Sequence, residues 1–315
     1  MAQAKTAYAP LNSTGATEQP APKIIRRRHF GRWVAAVVVL AILVELIISL
    51  WNNPNLNRHV VQHYLFTDVT LSGIRVTIEL TVIAMVIGIV GAVLLALMRL
   101  SGNPVLVAIS LGYIWFFRGT PLLVQVIFWG FLGALYHRIT IGIPNTGIVA
   151  YSAQTSAVIG ALTAAILALS LNEAAYASEI VRSGILSVHA GQREAALALG
   201  MTPGRTMRRI VLPQAMRVIV PPMGNEVISM LKTTSLVSVI AGHDLLTNVE
   251  NVYAQNFQVI PLLVVASLWY LVLTTVLSLG QAGIERHYGR GVAGSEQQRW
   301  SVRIFGFRRR GDSVG

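Results

Sequence analysis

Asn172, Glu173 and Tyr176 set a carboxamide, a carboxylate and an aromatic ring within about one helical turn, at the end of a long apolar stretch. That is chemistry for a cationic or zwitterionic ligand, since the carboxylate can pair with it and the ring face can attract it. A charge in hydrocarbon costs at least about 2.5–3.5 kcal/mol unless it faces protein or water, so each such residue asks for a reason. Glu226 is a second candidate, because Pro221-Pro222 and Gly224 interrupt the apolar stretch just before it and broken helices at that depth line cavities. A simple kink explains the same prolines equally well. Glu173 also has a plainer reading, at the inner membrane boundary and paired with Arg182. Glu179 and Arg182, three apart, read as a structural ion pair. Glu45, Glu79 and Lys232 complete the ionisable residues expected within spans, and inter-helix hydrogen bonding is the default for Lys232-Thr233-Thr234-Ser235.

Enzyme constellations are missing. The chain has no Gly-x4-Gly-Lys-Ser/Thr, no Gly-x-Ser-x-Gly and no His-Glu-x-x-His. Without a phosphate-binding loop, any ATP that drives this protein is hydrolysed on another chain. The absence of cysteine excludes disulfides and thiol chemistry. His59 and His63 have the spacing of a metal pair but no third ligand in reach, and read as solvated loop histidines.

The most informative polar stretch runs from Glu194 to Pro213. Gln192 to Leu199 is built of helix formers. Gly200 stands where a helix ends in the left-handed conformation. Thr202 can cap a second helix that begins at Pro203, and Pro213 is expected to close it. The prediction is a helix–turn–helix with small Ala195, Ala196 and Ala198 on its first member and Arg205, Arg208 and Arg209 on its second. A stiff, exposed element with small side chains can enter a groove on a partner, where Glu194 can make charge-assisted hydrogen bonds.

The elements that hold these residues are membrane-spanning. In 315 residues 54% are hydrophobic and 12% charged, with a mean hydropathy of +0.60, and a soluble domain carries about twice that charge. Apolar runs predict six spans, near Trp33–Trp51, Ile78–Leu97, Leu122–Leu135, Ser156–Leu171, Val218–Ile240 and Ile260–Leu279. Pro104–Leu135 would exceed a bilayer core as one straight helix, so Gly119-Thr120-Pro121 is expected to break it, leaving an interfacial or tilted helix and Arg118 near the inner surface. The first span reads as an uncleaved anchor rather than a signal peptide, since no small-x-small site follows Leu50.

Twenty of the 25 Lys and Arg residues lie in the segments before the first span, at Arg99, between Arg182 and Arg217, and after Gln281, whereas the opposite loops hold only Arg58 and Arg138. That asymmetry places both termini and the Glu194–Pro213 loop in the cytoplasm. It also accounts for the net charge of +12 by topology, so nucleic acid is not an expected partner, while the basic tail can meet anionic lipid. The expected organisation is a disordered basic tail over 1–32, an additional helix over 33–51, a transmembrane domain over 71–284 and a basic tail over 285–315.

Glu194-Ala195-Ala196, then three residues, Gly200, nine residues and Ile210-Val211-Leu212-Pro213 resembles the coupling loop of binding-protein-dependent ABC importer permeases. Tyr176 to Gly191, Arg118 to Gln125 and Leu231 to Leu236 are similar to the polar amino-acid uptake branch, and the likeness spans roughly Leu71 to Gln281. It implies an all-α, polytopic helical bundle of MetI-like fold in a bacterial inner membrane. Its implied partners are a second permease subunit, identical or paralogous, cytosolic ATP-binding cassette subunits that carry ATP and Mg, and an extracytoplasmic binding protein. Glu194, Ala195, Ala196, Gly200, Ile210, Leu212 and Pro213 would couple to the ATPase, while Asn172, Glu173, Tyr176 and Glu226 would line the pathway of a polar amino acid, cationic ones included. A proton-coupled secondary transporter and a non-transporting scaffold are the rival expectations.

Overall fold

The computed structural model describes residues 30–142 and 149–288, and these divide into two compact units between Asn53 and Pro54. The expected tails, 1–32 and 285–315, fall almost wholly outside the described residues. The first unit is one helix, α1 (Phe30–Asn52), with Trp33 and Trp51 exposed near its two ends.

The second unit begins with a 3-10 turn at Pro54–Leu56 and the short α2 (Arg58–Tyr64), which carries exposed His59 and His63 on a helix rather than in a loop. Then come α3 (Asp68–Leu100), α4 (Pro104–Gly119), α5 (Leu122–Gly130) and α6 (Leu132–Leu135). A hairpin of β1 (Arg138–Gly142) and β2 (Val149–Gln154) leads through α7 (Thr155–Val158) to α8 (Ala161–Leu186). The elbow follows as α9 (Ala190–Ala198) and α10 (Pro203–Thr206), and a π-helical stretch at Met207–Val211 feeds α11 (Leu212–Thr233). A 3-10 segment at Thr234–Ile240, α12 (Leu245–Asn256) and α13 (Val259–Tyr288) complete it.

Among the described residues α3, α8 and α13 are long and apolar enough to cross a membrane singly, and up to five spans result if two bent helix pairs each count as one. One of those pairs is α4 and α5, bent by 97° at Gly119-Thr120-Pro121, where the expected break falls. The expected Ser156–Leu171 span is instead α8, which continues through Asn172 and Glu173 to Leu186. Polarity did not end it because these side chains turn inward: Glu173 is only 5% exposed. The expected Val218–Ile240 span is α11 plus the 3-10 segment. α11 runs through Pro221 and Pro222 without interruption, and Gln281 Nε2 of α13 donates to Pro221 O at 2.7 Å. The hairpin was not anticipated, although alternation in Arg138-Ile139-Thr140-Ile141 is a strand signal. It is antiparallel, with Arg138 opposite Gln154 and Thr140 opposite Ser152.

Lipid is as apolar as leucine, so packing and hydrogen bonds rather than water exclusion hold such helices together. α3 and α8 accordingly meet through small residues. Ala84, Ala92 and Ala96 on one helix, and Ala165, Ala168, Ala174 and Ala177 on the other, are all buried. Leu80, Met85, Leu169, Met230 and Val237 fill the centre. One end is closed by Ile74, Leu245, Val249, Leu262 and Ala266, and the other by Ala96, Val181, Ala215 and Ile219. Polar ties fix the first of these ends. Asp244 caps α12 by accepting from Leu246 N and Thr247 N at 3.0 and 3.3 Å and from the Thr247 hydroxyl. Thr77 Oγ1 accepts from Leu245 N, and Trp269 Nε1 donates to Leu65 O at 2.7 Å. The hydroxyls of Thr233, Thr234 and Ser235 donate to Ser229, Leu231 and Lys232 carbonyls of their own chain segment, since a β-hydroxyl easily reaches the preceding turn. Thr234 also meets the Tyr270 hydroxyl of α13, the inter-helix contact expected for this stretch.

Candidate functional site

The centre of α8 faces a cavity of about 470 Å³, and Asn172, Glu173, Tyr176 and Glu226 all line it. The fold therefore brings together every pathway residue that sequence reasoning singled out. Glu173 stands near the middle of α8, and Arg182 is not its partner: Arg182 Nε bonds Glu179 at 3.0 Å, and Glu179 also pairs with Arg99 at the end of α3. The expected structural pair is thus one part of a three-residue link between α3 and α8.

Glu173 is held in place by what is absent opposite it. Gly88 of α3 approaches so closely that a Cβ there would lie 2.7 Å from Glu173 Cγ, a distance side chains do not tolerate. Its Oε1 is buried and has no hydrogen-bond partner among the described residues, so it remains an acceptor for a donor entering the cavity. Asn172 lines the same cavity and also braces its wall. Its Nδ2 donates to Phe117 O at 3.0 Å and Gln125 Oε1 at 3.3 Å, which uses its donors to hold the α4–α5 bend. Gln125, itself buried, donates to Phe117 O, Thr120 O and Thr120 Oγ1, and Tyr113 OH donates to Leu171 O at 2.9 Å. The polar groups that a 97° bend frees are thereby satisfied inside protein, as membrane depth requires.

Sequence reasoning did not single out Arg118 for the pathway, yet it lines this cavity, and its guanidinium sits 4.9 Å from the Tyr176 ring centroid. The aromatic face read as open to a ligand is therefore already engaged by a cation of the protein. The missed signal was its place immediately before Gly119-Thr120-Pro121: a residue at a helix break points into the opening the break creates. The cavity thus holds two carboxylates and one guanidinium, a mixed set suited to a ligand that carries both charges.

The elbow is the second assembly. His189 caps α9, its Nδ1 accepting from Gly191 N at 3.1 Å. At the other end Gly200 N donates to Leu197 O at 2.9 Å and Met201 N to Ala196 O at 3.1 Å, with Gly200 at φ +80°. These are the two paired bonds of a Schellman turn. Thr202 then caps α10 with Pro203 at its first position. Glu194, Ala195, Gly200, Leu212 and Pro213 are exposed, Ile210 is half-buried, and Ala196 is buried. Leu199, 85% exposed at the tip, was not singled out from the sequence. The second helix does not close at Pro213. It passes through the π-helical stretch into α11, where Pro213 occupies the first turn and its missing N–H costs nothing. The elbow is therefore continuous with a long membrane helix. Gln214 Nε2 further ties it back by donating to Gln192 Oε1 and Ile210 O.

Comparisons with known proteins agree with this architecture. The family described as binding-protein-dependent transport system inner membrane component matches residues 84–290. The arginine transport system permease protein ArgU of Corynebacterium glutamicum is 45% identical over 277 residues, covering 87% of this chain and 86% of that one. The glutamine transport system permease protein GlnP of Escherichia coli is 33% identical over 216 residues, covering 69% and 91%. A crystallised amino acid ABC transporter with histidines superposes with a TM-score of 0.58 at 33% identity, over 70% of this chain and 94% of that one. The inward-facing MetNI methionine ABC transporter shares the fold at a TM-score of 0.50 and 19% identity, over 72% and 97%. With the family matched across most of its length, the chain belongs to the inner membrane components of binding-protein-dependent transport systems, as a permease subunit and not an enzyme.

Proposed function

We propose that this chain forms the translocation pathway of an ATP-driven importer for polar amino acids, with a cationic amino acid as the preferred substrate. The observation that carries the coupling half of this reading is the elbow, an exposed, doubly capped turn continuous with α11. A cytosolic ATPase that grips Glu194 and Ala195 on α9 moves α11 as a lever, through the tightly hydrogen-bonded turn at Gly200 and the α10 helix that runs on into α11. Glu226 of the cavity lies on that same helix. ATP-driven association of the ATPase subunits then biases the helices between inward- and outward-open states through different contacts in the two states. Both termini and the elbow lie on the cytoplasmic side, a second permease subunit completes the pathway, and an extracytoplasmic binding protein delivers substrate. ATP and Mg belong to the ATPase.

The substrate class rests on the cavity and on the relatives' names. Glu173 and Glu226 can receive a cationic side chain, while Arg118 can meet an α-carboxylate. One relative is named for arginine transport at 45% identity and another for glutamine transport. Reconstitution of the permease with its ATPase and binding protein, followed by uptake of labelled arginine and glutamine, tests the reading. ATP-dependent uptake of arginine above that of glutamine supports it. Uptake without the ATPase, driven by a proton gradient, overturns it in favour of a secondary transporter, and no uptake of any amino acid leaves only a scaffold.

A further inference from the structure

A second cavity of about 560 Å³ opens between α3, α8, α11 and α13. It is lined by apolar side chains and Gly224 alone, Val93, Met216, Val220 and Met223 among them. Leu97, Ile185 and Met207 also belong to the wall of a neighbouring cavity of about 430 Å³, so the two adjoin. The second one is different in character: His189, Ser187 and Arg193 lie on it. His189 and Arg193 are four residues apart at the start of α9 and share a face. Arg193 forms no ion pair among the described residues. The Nδ1 of His189 accepts from Gly191 N, which leaves its Nε2 to donate outward.

We propose that these two adjoining cavities form a binding site for one anionic phospholipid, its acyl chain in the apolar one and its phosphate between His189 and Arg193. An apolar cavity that adjoins cationic donors beside a membrane surface matches that molecule in both chemistry and order. A zwitterionic lipid satisfies the apolar part equally but gains less at the basic end. The lipid would wedge the base of the elbow against α3 and α8, so leaflet composition would tune the stiffness of the coupling lever. The proposal rests on the cytoplasmic placement of the elbow given above.

The test is native mass spectrometry of the complete transporter after equilibration in equal amounts of phosphatidylglycerol and phosphatidylcholine. Retention of phosphatidylglycerol at least about fivefold above phosphatidylcholine is expected. The double variant His189→Gln with Arg193→Gln, both at the surface, should reduce retention to the phosphatidylcholine level. Val93→Trp, which fills the apolar cavity, should reduce retention of both lipids. Equal retention by the unaltered protein, or an undiminished preference in the double variant, overturns the site. So does cross-linking of Val220→Cys to a second permease subunit, which would mean that protein covers the apolar cavity. An impermeant maleimide on Leu199→Cys reads the side of the elbow independently. Labelling from outside defeats the topology and the leaflet assignment together, whereas internal labelling with no lipid preference defeats the lipid site alone.

Discussion

Gly88 and Glu173 touch across the α3–α8 interface so closely that no other residue fits at 88: a Cβ there would stand 2.7 Å from Glu173 Cγ and 2.8 Å from its Cβ. The contact fixes a buried carboxylate by the shape of a neighbouring helix rather than by a bond. Gly88→Ala should therefore lower arginine uptake about tenfold and Gly88→Val abolish it, since the carboxylate must move or the helices part. Membrane insertion and co-purification of the ATPase should persist. Wild-type uptake in Gly88→Val would show that the position of Glu173 is immaterial.

Glu173→Gln keeps the shape and removes the charge. A hydrogen bond to a charged group contributes about 1.5–3 kcal/mol, so affinity for a cationic amino acid should fall about tenfold or more, and for glutamine by less than about twofold. Competition uptake with both substrates measures this. Equal losses for the two would remove Glu173 from recognition.

Tyr113 and Asn172 support the bend between α4 and α5. Tyr113→Phe removes the bond to Leu171 O, and inter-helix hydrogen bonds in membranes average about 0.6 kcal/mol. A small drop in thermal stability with unchanged substrate preference is the expected result. Asn172→Ala removes one of two donors from Phe117 O and the Asn172 donor from Gln125 Oε1 and should destabilise more. A changed substrate preference in either variant would place that side chain in the recognition site.

Arg118 engages Tyr176 at 4.9 Å, an arrangement contributing about 0.5–2 kcal/mol. Arg118→Gln should weaken uptake of amino acids carrying a free carboxylate and spare their carboxamide analogues, measured by inhibition with arginine and argininamide. Parallel loss for both ligands would assign Arg118 to structure alone.

Much of this was legible in the residues, for definite reasons. The elbow was readable because Gly200, Thr202 and Pro203 carry local backbone chemistry that does not depend on the rest of the fold. Asn172, Glu173, Tyr176 and Glu226 were readable because polarity in an apolar stretch requires an explanation. Arg118 was not, because its depth depends on the sharpness of the bend after it, and that angle is set by Gln125 and Asn172 from elsewhere in the chain. Pro213 was misread as a stop because a proline is also at home in a helix's first turn, and only the π-helical stretch before it distinguishes the two. Glu173's close neighbour Gly88 was invisible for the same kind of reason, since contacts between helices leave no mark on the spacing within one.

As proposed above, the elbow is the handle by which a separate ATPase works α11. The chain has no cysteine, so Leu199→Cys supplies a single thiol at the exposed tip, 85% accessible in the isolated chain. A bifunctional maleimide applied to the assembled transporter should join it to the ATPase and arrest uptake. In the same assay Gly200→Val, which forces a β-branched residue into φ +80°, should leave ATP hydrolysis running while transport is lost. Cross-linking to the ATPase with arrested uptake is the result this account predicts. A tip that reacts only from the outer face, or uptake that continues while the cross-link holds, would contradict it.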